Sequence, residues 1–198
     1  MNRRTFLQTF GASGGLLLGV TSSGCQSIRP KDLAIVFTQQ GVFEPNLFLR
    51  IHPDGQIVLA MNKSEMGQGI MTASTTLAAE ELRVPLEQVK AYQAYKAGFG
   101  MQLTGGSTST ATIFTPIRRA AATAREMLRS AAAEIWQVPT EKCLAKQGAI
   151  HNLDTKEQLS YGELIESASR QPIPKKPPLT AKNEFTVVGK EGIRVDAH

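Results

Sequence analysis

The sequence has 198 residues, which is the length of one domain or of one domain with short appendages. This length excludes a large multi-domain enzyme. Hydrophobic residues make up 41% of the chain and charged residues 20%, so neither a collagen-like nor a disordered composition applies to most of it. The net charge of +5 includes two arginines near the N-terminus, and only 6% of the residues are aromatic, which argues against a nucleic-acid-binding protein.

Residues 1–24 have the pattern of an export signal. Arg3 and Arg4 precede an apolar run over residues 10–20 that is rich in Gly and Ala and contains no acidic residue. This order is typical of a twin-arginine leader and predicts a periplasmic protein. The run is too short for a permanent membrane span, which needs about 20 residues, although an uncleaved leader would tether the chain to the membrane. Twin-arginine export carries folded cargo, so the leader also indicates a cofactor inserted before export.

The two cysteines leave two questions open. Cys25 follows Ser22, Ser23 and Gly24, as at a lipoprotein cleavage site, but the usual Leu three residues before the Cys is absent. Lipidation of Cys25 is therefore one alternative, and a disulfide between Cys25 and Cys143 in an oxidising compartment is another. Cys143 has no Cys or His partner at metal-ligand spacing, and so the pattern there indicates a small core residue.

The mature chain predicts an α+β fold in which a mixed β-sheet with hairpins packs against a long alanine-rich helix and shorter helices. Residues 25–45 are polar and irregular and predict a tether. Alternating apolar runs over residues 47–52 and 56–61, joined by Pro-Asp-Gly, predict two paired strands. A helix over residues 70–82 and a strand over residues 89–94 follow.

The second half of the chain predicts the central helix. From Ile117 to Ile135, alanine and larger apolar residues recur at i, i+3, i+4 and i+7, which is typical of a helix that packs closely on one face. Pro116 is either its first helical residue or a kink after a shorter preceding turn. A hairpin over residues 144–159, turning about residues 151–154, and a short helix over residues 161–169 complete the predicted domain, residues 46–170.

Residues 171–198 predict a proline-rich linker and the beginning of a further domain. Four prolines between residues 171 and 182 favour a stiff extended segment rather than core. Residues 185–188 resemble a strand, although only ten residues follow them. Because a proline-rich linker normally leads into another domain, we expect the sequence to be incomplete.

Two glycine-rich loops form the candidate functional site. Residues 65–69, EMGQG, and residues 104–110, TGGSTST, both lead into predicted helices. Each loop brings backbone N–H groups, polar side chains and the positive end of a helix dipole together, and so predicts an anion cradle. Neither has the pattern of an ATPase phosphate loop or of a dinucleotide-binding fold. Neither contains Lys or Arg, so neutral donors would hold a large polar cofactor at many points.

These residues resemble a known family. The run EMGQGIMTASTTLAAEEL at residues 65–82, the TGGSTST loop and the alanine-rich helix are similar to the molybdopterin-binding large subunit of the molybdenum hydroxylases. Within the aldehyde oxidase and xanthine dehydrogenase superfamily, the resemblance is to the isoquinoline 1-oxidoreductase beta-subunit type, which also begins with a twin-arginine leader. It covers roughly residues 45 to 196 and corresponds to the second molybdopterin-binding domain of that superfamily.

The resemblance implies a cofactor and the residues that bind it. The cofactor is molybdopterin cytosine dinucleotide with molybdenum. The first loop would contact its molybdenum-pterin end, with Gln68 donating to an oxo ligand, and the second loop would donate to the pterin and diphosphate. The implied cofactor-binding residues are Gly67, Gln68, Gly69, Gly105, Gly106, Ser107, Thr108 and Ser109.

The resemblance also implies what the chain needs from elsewhere. Family large subunits are several times longer, and their catalytic carboxylate lies in a downstream motif absent from this sequence, so Glu65 is interpreted as a loop-fixing residue rather than a general base. Residues 192–198 resemble the beginning of the family's next domain. We therefore expect the remainder of the large subunit from another chain, and a small [2Fe-2S] subunit, since two cysteines are too few for a four-thiolate cluster.

Two alternatives to a hydroxylase component stay open. One is a non-catalytic periplasmic lipoprotein that serves as a binding or assembly module. The other is a plain phosphate- or nucleotide-binding domain. Surface or structural roles are expected for the three histidines, His52, His151 and His198, rather than metal ligation.

Overall fold

A computed structural model describes residues 36–37, 41–95, 99, 101–192 and 194–196. The predicted leader and Cys25 lie outside the described residues. Sheet A contains β1 (Val36–Phe37), β2 (Phe43–Asn46), β3 (Leu49–Ile51), β4 (Ile57–Met61) and β5 (Val89–Gln93) in that order. Sheet B contains β6 (Cys143–Lys146), β7 (Ala149–Asn152) and β8 (Gln158–Ser160). The α-helices of the described part are α1 (Ile70–Leu82), α2 (Ser109–Trp136) and α3 (Tyr161–Ser169).

Sheet A is mixed, as the sequence predicts. β1 to β4 are antiparallel neighbours, whereas β4 and β5 pair in parallel from Ile57 opposite Val89 to Met61 opposite Gln93. Parallel neighbours require a crossover connection, and α1 supplies it. The first glycine-rich loop therefore lies between the carboxyl end of β4 and the start of α1.

The helices α1 and α2 lie side by side and run in the same direction. Thr72 and Thr76 of α1 line one cavity together with Thr110 of α2. At the other end of α1, the Glu81 carboxylate accepts hydrogen bonds from Arg118 and Arg125 of α2. The N-terminal ends of both helices, and hence both glycine-rich loops, are consequently at one end of the domain.

The central helix begins earlier than the sequence predicts. α2 starts at Ser109, and Pro116 lies in its interior rather than at its first position. The Ser- and Thr-rich first turns have weak helix propensity, but Ile113 is buried beside Ile117, and this packing overrides the propensity. The predicted apolar face is confirmed as far as Ala132, whereas Ile135 in the last turn is 49% exposed. The fully buried residues of this face are Ala121, Ala124, Met127, Leu128, Ala131 and Ala132.

The predicted hairpin over residues 144–159 is a three-stranded meander with two turns. The first turn is at Gln147–Gly148, where both residues have positive φ, at 50° and 76°. His151 and Asn152 lie in β7 instead of in a turn, and Asn152 Oδ1 accepts the N–H of Asp154 at 2.9 Å to shape the second turn. Cys143 is a buried free thiol at the start of β6, which confirms it as a core residue.

The N-terminal and C-terminal expectations need correction. The irregular segment expected over residues 25–45 includes β1 and the first part of β2, where Phe43 is fully buried. The strand expected over residues 185–188 is a series of bends and turns after a short 3-10 helix, Lys182–Glu184. No helix within the described ranges is long and apolar enough to cross a membrane.

The C-terminal strap, residues 178–192 and 194–196, packs on the domain instead of leaving it as a linker. Glu81 accepts the Thr180 N–H at 3.0 Å, and Arg125 donates to the Pro178 carbonyl. Glu80 accepts the N–H groups of residues 186–188 at 2.7 to 2.9 Å. These two buried carboxylates satisfy a backbone that has no sheet or helix partner.

Candidate functional site

Glu65 fixes the first loop. Its Oε1 accepts the N–H groups of Gly67 and Gly69 at 2.8 and 3.0 Å, and its Oε2 accepts the Met71 N–H at 2.8 Å. Both glycines have positive φ, 93° for Gly67 and 80° for Gly69, so the chain can fold back around its own carboxylate. The interpretation of Glu65 as a loop-fixing residue is confirmed.

The same geometry corrects the prediction of an anion cradle in this loop. The side chain of Glu65 already occupies the donors at the start of α1, and it compensates the positive end of that helix. Desolvation favours a higher pKa for this carboxyl, but the backbone N–H bonds outweigh it and hold the pKa below its usual value. Glu65 is therefore an anion at neutral pH, and a second anion has no free N–H group of Gly67 or Gly69 to bind.

Gln68 lies exposed at the tip of the first loop. Its Nε2 donates to the Ser64 carbonyl at 2.7 Å, and its Oε1 accepts the Met66 N–H at 2.6 Å. These two bonds fix the orientation of the amide. An amide nitrogen has two N–H groups and an amide oxygen two lone pairs, so Gln68 keeps one donor and one acceptor for a ligand.

The second loop remains an open cradle. Gly106 and Ser107 have positive φ, 60° and 55°, and turn the chain into α2. The N-cap residue Thr108 makes no side-chain capping bond to the helix, and the first turn contains no acidic residue. Its hydroxyl instead donates to the Gly105 carbonyl at 3.0 Å. Since the first N–H groups of a helix have no partner within the helix, these donors are available to an anionic ligand.

The structure brings the two loops together. Ser64 directly precedes the first loop, and its N–H donates to the Thr104 hydroxyl, the first residue of the second loop, at 2.9 Å. Gln68 is bonded to the Ser64 carbonyl, so two hydrogen bonds in series join Gln68 to Thr104. Gln68 and Ser107 consequently lie on the same end of the molecule.

Lys63 is a site residue that the sequence reasoning missed. Its side chain is only 1% exposed, and Nζ donates to the carbonyls of Met101 and Leu103 at 2.9 and 3.0 Å. It forms no ion pair with a carboxylate among the described residues. The lysine lies two positions before the first loop, so a cation is buried against the segment that leads into the second. Lys63 lies outside both motifs, so neither motif indicates its role. The apolar run of the preceding strand β4 was the only signal in the sequence.

Exposed apolar side chains surround the two loops. Met66, Tyr95, Met101 and Leu103 are 60 to 72% exposed, and Tyr95 bonds through its hydroxyl to the Ser64 side chain at 2.8 Å. Large apolar residues clustered at one end of a domain mark a surface that contacts a ligand or another polypeptide. Within the described ranges, no group of three or more His, Cys, Asp or Glu residues could hold a metal ion.

Comparison with known proteins identifies the family. The model of the molybdopterin cofactor-binding domain matches residues 19–196. The chain belongs to this family. This match confirms the resemblance seen in the EMGQG and TGGSTST loops. The chain contains a molybdopterin-binding domain of the molybdenum hydroxylase family.

Relatives of this molybdopterin-binding domain include two curated proteins. The isoquinoline 1-oxidoreductase subunit beta of Brevundimonas diminuta is 32% identical in an alignment of 195 residues that covers 94% of this chain and 24% of that protein. A membrane-bound aldehyde dehydrogenase (pyrroloquinoline-quinone) of Gluconacetobacter polyoxogenes is 28% identical over 83% of this chain and 21% of its own length. The chain thus spans about a quarter of the length of these relatives.

A solved structure shares the fold. The crystal structure of quinoline 2-oxidoreductase from Pseudomonas putida 86 superposes with a TM-score of 0.50 and 24% sequence identity. The match covers 67% of this chain and 18% of that one. The molybdopterin-binding domain therefore has the fold of a small part of a larger oxidoreductase chain.

Proposed function

We propose that this chain is the cofactor-binding part of the large subunit of an exported molybdenum hydroxylase, and that it binds molybdopterin cytosine dinucleotide. The observation that carries the proposal is the open N-terminus of α2 beside the rigid loop that presents Gln68. Because Glu65 already binds the donors at the start of α1, an anionic group would bind at the uncapped start of α2.

The described residues fit the diphosphate and pterin of such a cofactor. Gly105 and Gly106 leave open space on the outer side of the second loop, because an added Cβ on Gly105 would meet no atom within 4 Å. Backbone N–H groups at the start of α2, together with the hydroxyls of Ser107, Thr108 and Ser109, would donate to the diphosphate. Gln68 would donate its remaining N–H to the molybdenum-pterin end, while Gly67 and Gly69 would allow close approach without donating.

The protein and the cofactor have separate tasks in this proposal. When bound, the molybdenum centre supplies the oxidative hydroxylation of an N-heterocycle or an aldehyde with oxygen from water. The two loops hold and orient the pterin, and the surrounding apolar side chains exclude water from its edge. The names of the relatives, which mention isoquinoline and an aldehyde dehydrogenase, support this substrate class.

We further propose that the active enzyme needs more polypeptide than this chain. The remainder of the large subunit would supply the general base, whose help is typically worth about 10² to 10⁴ in rate. A small [2Fe-2S] subunit would accept the electrons. The leader would direct the folded protein to the periplasm, where it would remain free or be tethered through an uncleaved leader or a lipidated Cys25.

Metal and cofactor analysis tests the proposal. The chain is expressed in a host that makes molybdopterin cytosine dinucleotide, alone and with the polypeptide that completes the large subunit. Molybdenum, pterin and acid-released CMP are then measured per chain. We expect near-equal amounts of all three in the completed protein and a loss of at least about tenfold in Gly106→Val, because a β-branched residue does not adopt this left-handed backbone.

A control variant and three contrary outcomes complete the test. Leu144→Val changes an exposed side chain of β6, which packs beside the C-terminal part of α2 and away from both loops, so it should keep the full cofactor content. A completed protein without molybdenum and pterin would contradict the proposal and favour the assembly module without a cofactor. Pterin without CMP would contradict only the dinucleotide form. A nucleotide bound without pterin would favour the plain nucleotide-binding domain.

A further inference from the structure

The strand β5 lies at one edge of sheet A in the described part of the chain. The strand order places β5 last, with β4 as its neighbour on one side and no strand on the other among the described residues. The Ala94 N–H donates to the Met61 carbonyl at 2.8 Å, toward β4. Successive residues of a strand point their backbone groups to opposite sides, so the N–H groups of Ala91 and Gln93 point away from β4. Neither makes a hydrogen bond in the described part of the chain.

A large cavity runs along this edge. It has a volume of about 920 Å³, and the consecutive residues Val89, Lys90 and Ala91 all line it. Since alternate side chains of a strand point to opposite faces, a cavity lined by three consecutive residues lies along the edge and not over one face. Leu77 of α1 and Phe114 of α2 form an apolar wall, and the C-terminal strap forms the opposite one.

The size of the cavity matches one β-strand. A packed strand residue takes about 3.3 Å along the strand, about 4.8 Å between neighbouring strands and about 10 Å between layers, which is about 160 Å³. The cavity therefore has room for about six extended residues, and those beside Val89, Lys90 and Ala91 would pair with the first part of β5. The strap itself does not pair with β5, although it lies across the gap.

We propose that an extended segment of the polypeptide that completes the large subunit adds as a strand to the free edge of β5. The identity of the added segment rests on the proposed function. About three quarters of the Brevundimonas diminuta relative has no counterpart in this chain, and the corresponding polypeptide would supply the segment. Main-chain hydrogen bonds to Ala91 and Gln93 provide the affinity. The segment alternates in character: apolar side chains face Leu77 and Phe114, and polar ones lie on the side of the exposed Lys90.

Hydrogen exchange tests the added strand. The probe is the part of the Brevundimonas diminuta subunit beta that follows its matched region, co-expressed with this chain. We expect the amides of Ala91 and Gln93 to exchange at least about tenfold more slowly in the complex than in the free chain. No complex, or a complex with unchanged exchange of these two amides, would overturn the inference. Protection that appears in the chain alone as its concentration rises would also overturn it, by assigning the edge to a second copy.

A pair of variants at one position sharpens the test. Ala91→Pro removes the outward N–H, which edge strands tolerate, so the free chain should keep its thermal midpoint while the complex is lost. Ala91→Val keeps the N–H and should keep the complex. A complex with Ala91→Pro as stable as the unsubstituted one would refute strand addition.

Cofactor content separates this inference from the proposed function. Molybdenum and pterin are measured on the same samples. A complex that protects β5 but contains no cofactor would support the added strand and contradict the proposed function. A loaded complex with unprotected β5 would contradict the added strand alone.

Discussion

Replacing Glu65 by Gln should destabilise the domain to an extent that depends on pH. The carboxylate accepts three N–H bonds of 2.8 to 3.0 Å from Gly67, Gly69 and Met71, and a longer one from Met66. The glutamine keeps one acceptor oxygen and turns an N–H₂ group toward at least one of these donors. Loss of a helix cap typically costs about 0.5 to 2 kcal/mol, and this cap is charged, so we expect about 1 to 2 kcal/mol at pH 7.

The direction of the pH dependence follows from the lowered pKa of Glu65. A carboxyl with a lower pKa in the folded state stabilises the fold above its unfolded value of 4.5, and this contribution disappears as pH falls through the folded pKa. Urea unfolding of the wild type and the variant should therefore differ at pH 7, and the difference should shrink as pH falls below 4.5 through the lowered pKa. At pH 7, each kcal/mol should lower Tm by about 2 to 4 °C for a chain of this size. Equal stability at pH 7, or a difference that persists unchanged in acid, would refute the filled-cradle interpretation.

Three further predictions concern the strap and the packing. Glu81→Ala should cost about 3 to 5 kcal/mol of unfolding free energy, because it leaves the buried Arg118 guanidinium without a carboxylate and Arg125 with Glu126 alone; a cost below 1 kcal/mol would contradict the role of Glu81 in holding the strap. The pKa of Glu80 is lowered, since its N–H bonds outweigh desolvation, so amide exchange at residues 186–188 should accelerate as pH falls below 4.5, after correction for intrinsic rates. Gly162→Ala places a Cβ 2.0 Å from the Pro53 carbonyl oxygen and should lower Tm by several degrees, whereas Gly105→Ala should not.

The sequence predicted the elements whose periodicity is strong. The face of α2 from Ile117 to Ala132, the β4–α1–β5 order and the buried Cys143 all follow from local sequence patterns. The start of α2 did not follow, since its Ser- and Thr-rich turns have weak propensity and depend on the burial of Ile113. The meander of sheet B was missed because Gln147 adopts a positive φ that its residue type does not indicate.

The long-range contacts of the site could not be predicted from the sequence. Both loops were recognisable from their glycines, but their opposite states, one filled by Glu65 and one open, depend on the path of the backbone. Lys63 contacts carbonyls about 40 positions away, and no spacing rule relates them. The strap was interpreted as a linker because its prolines exclude regular structure, whereas the carboxylates of α1 that hold it are distant in sequence.

The molybdenum content of a Thr108→Asp variant tests the central claim most directly. An aspartate at the N-cap of α2 would close the open cradle with the chain's own carboxylate, as Glu65 does for α1, and should raise Tm by a few degrees. Thr108→Asn provides an uncharged capping control. If this helix end receives the cofactor diphosphate, Thr108→Asp will gain stability yet lose most of its molybdenum, and Thr108→Asn, which caps the same N–H groups without a repelling charge, will lose less. Undiminished molybdenum in a stabilised Thr108→Asp protein would contradict the claim.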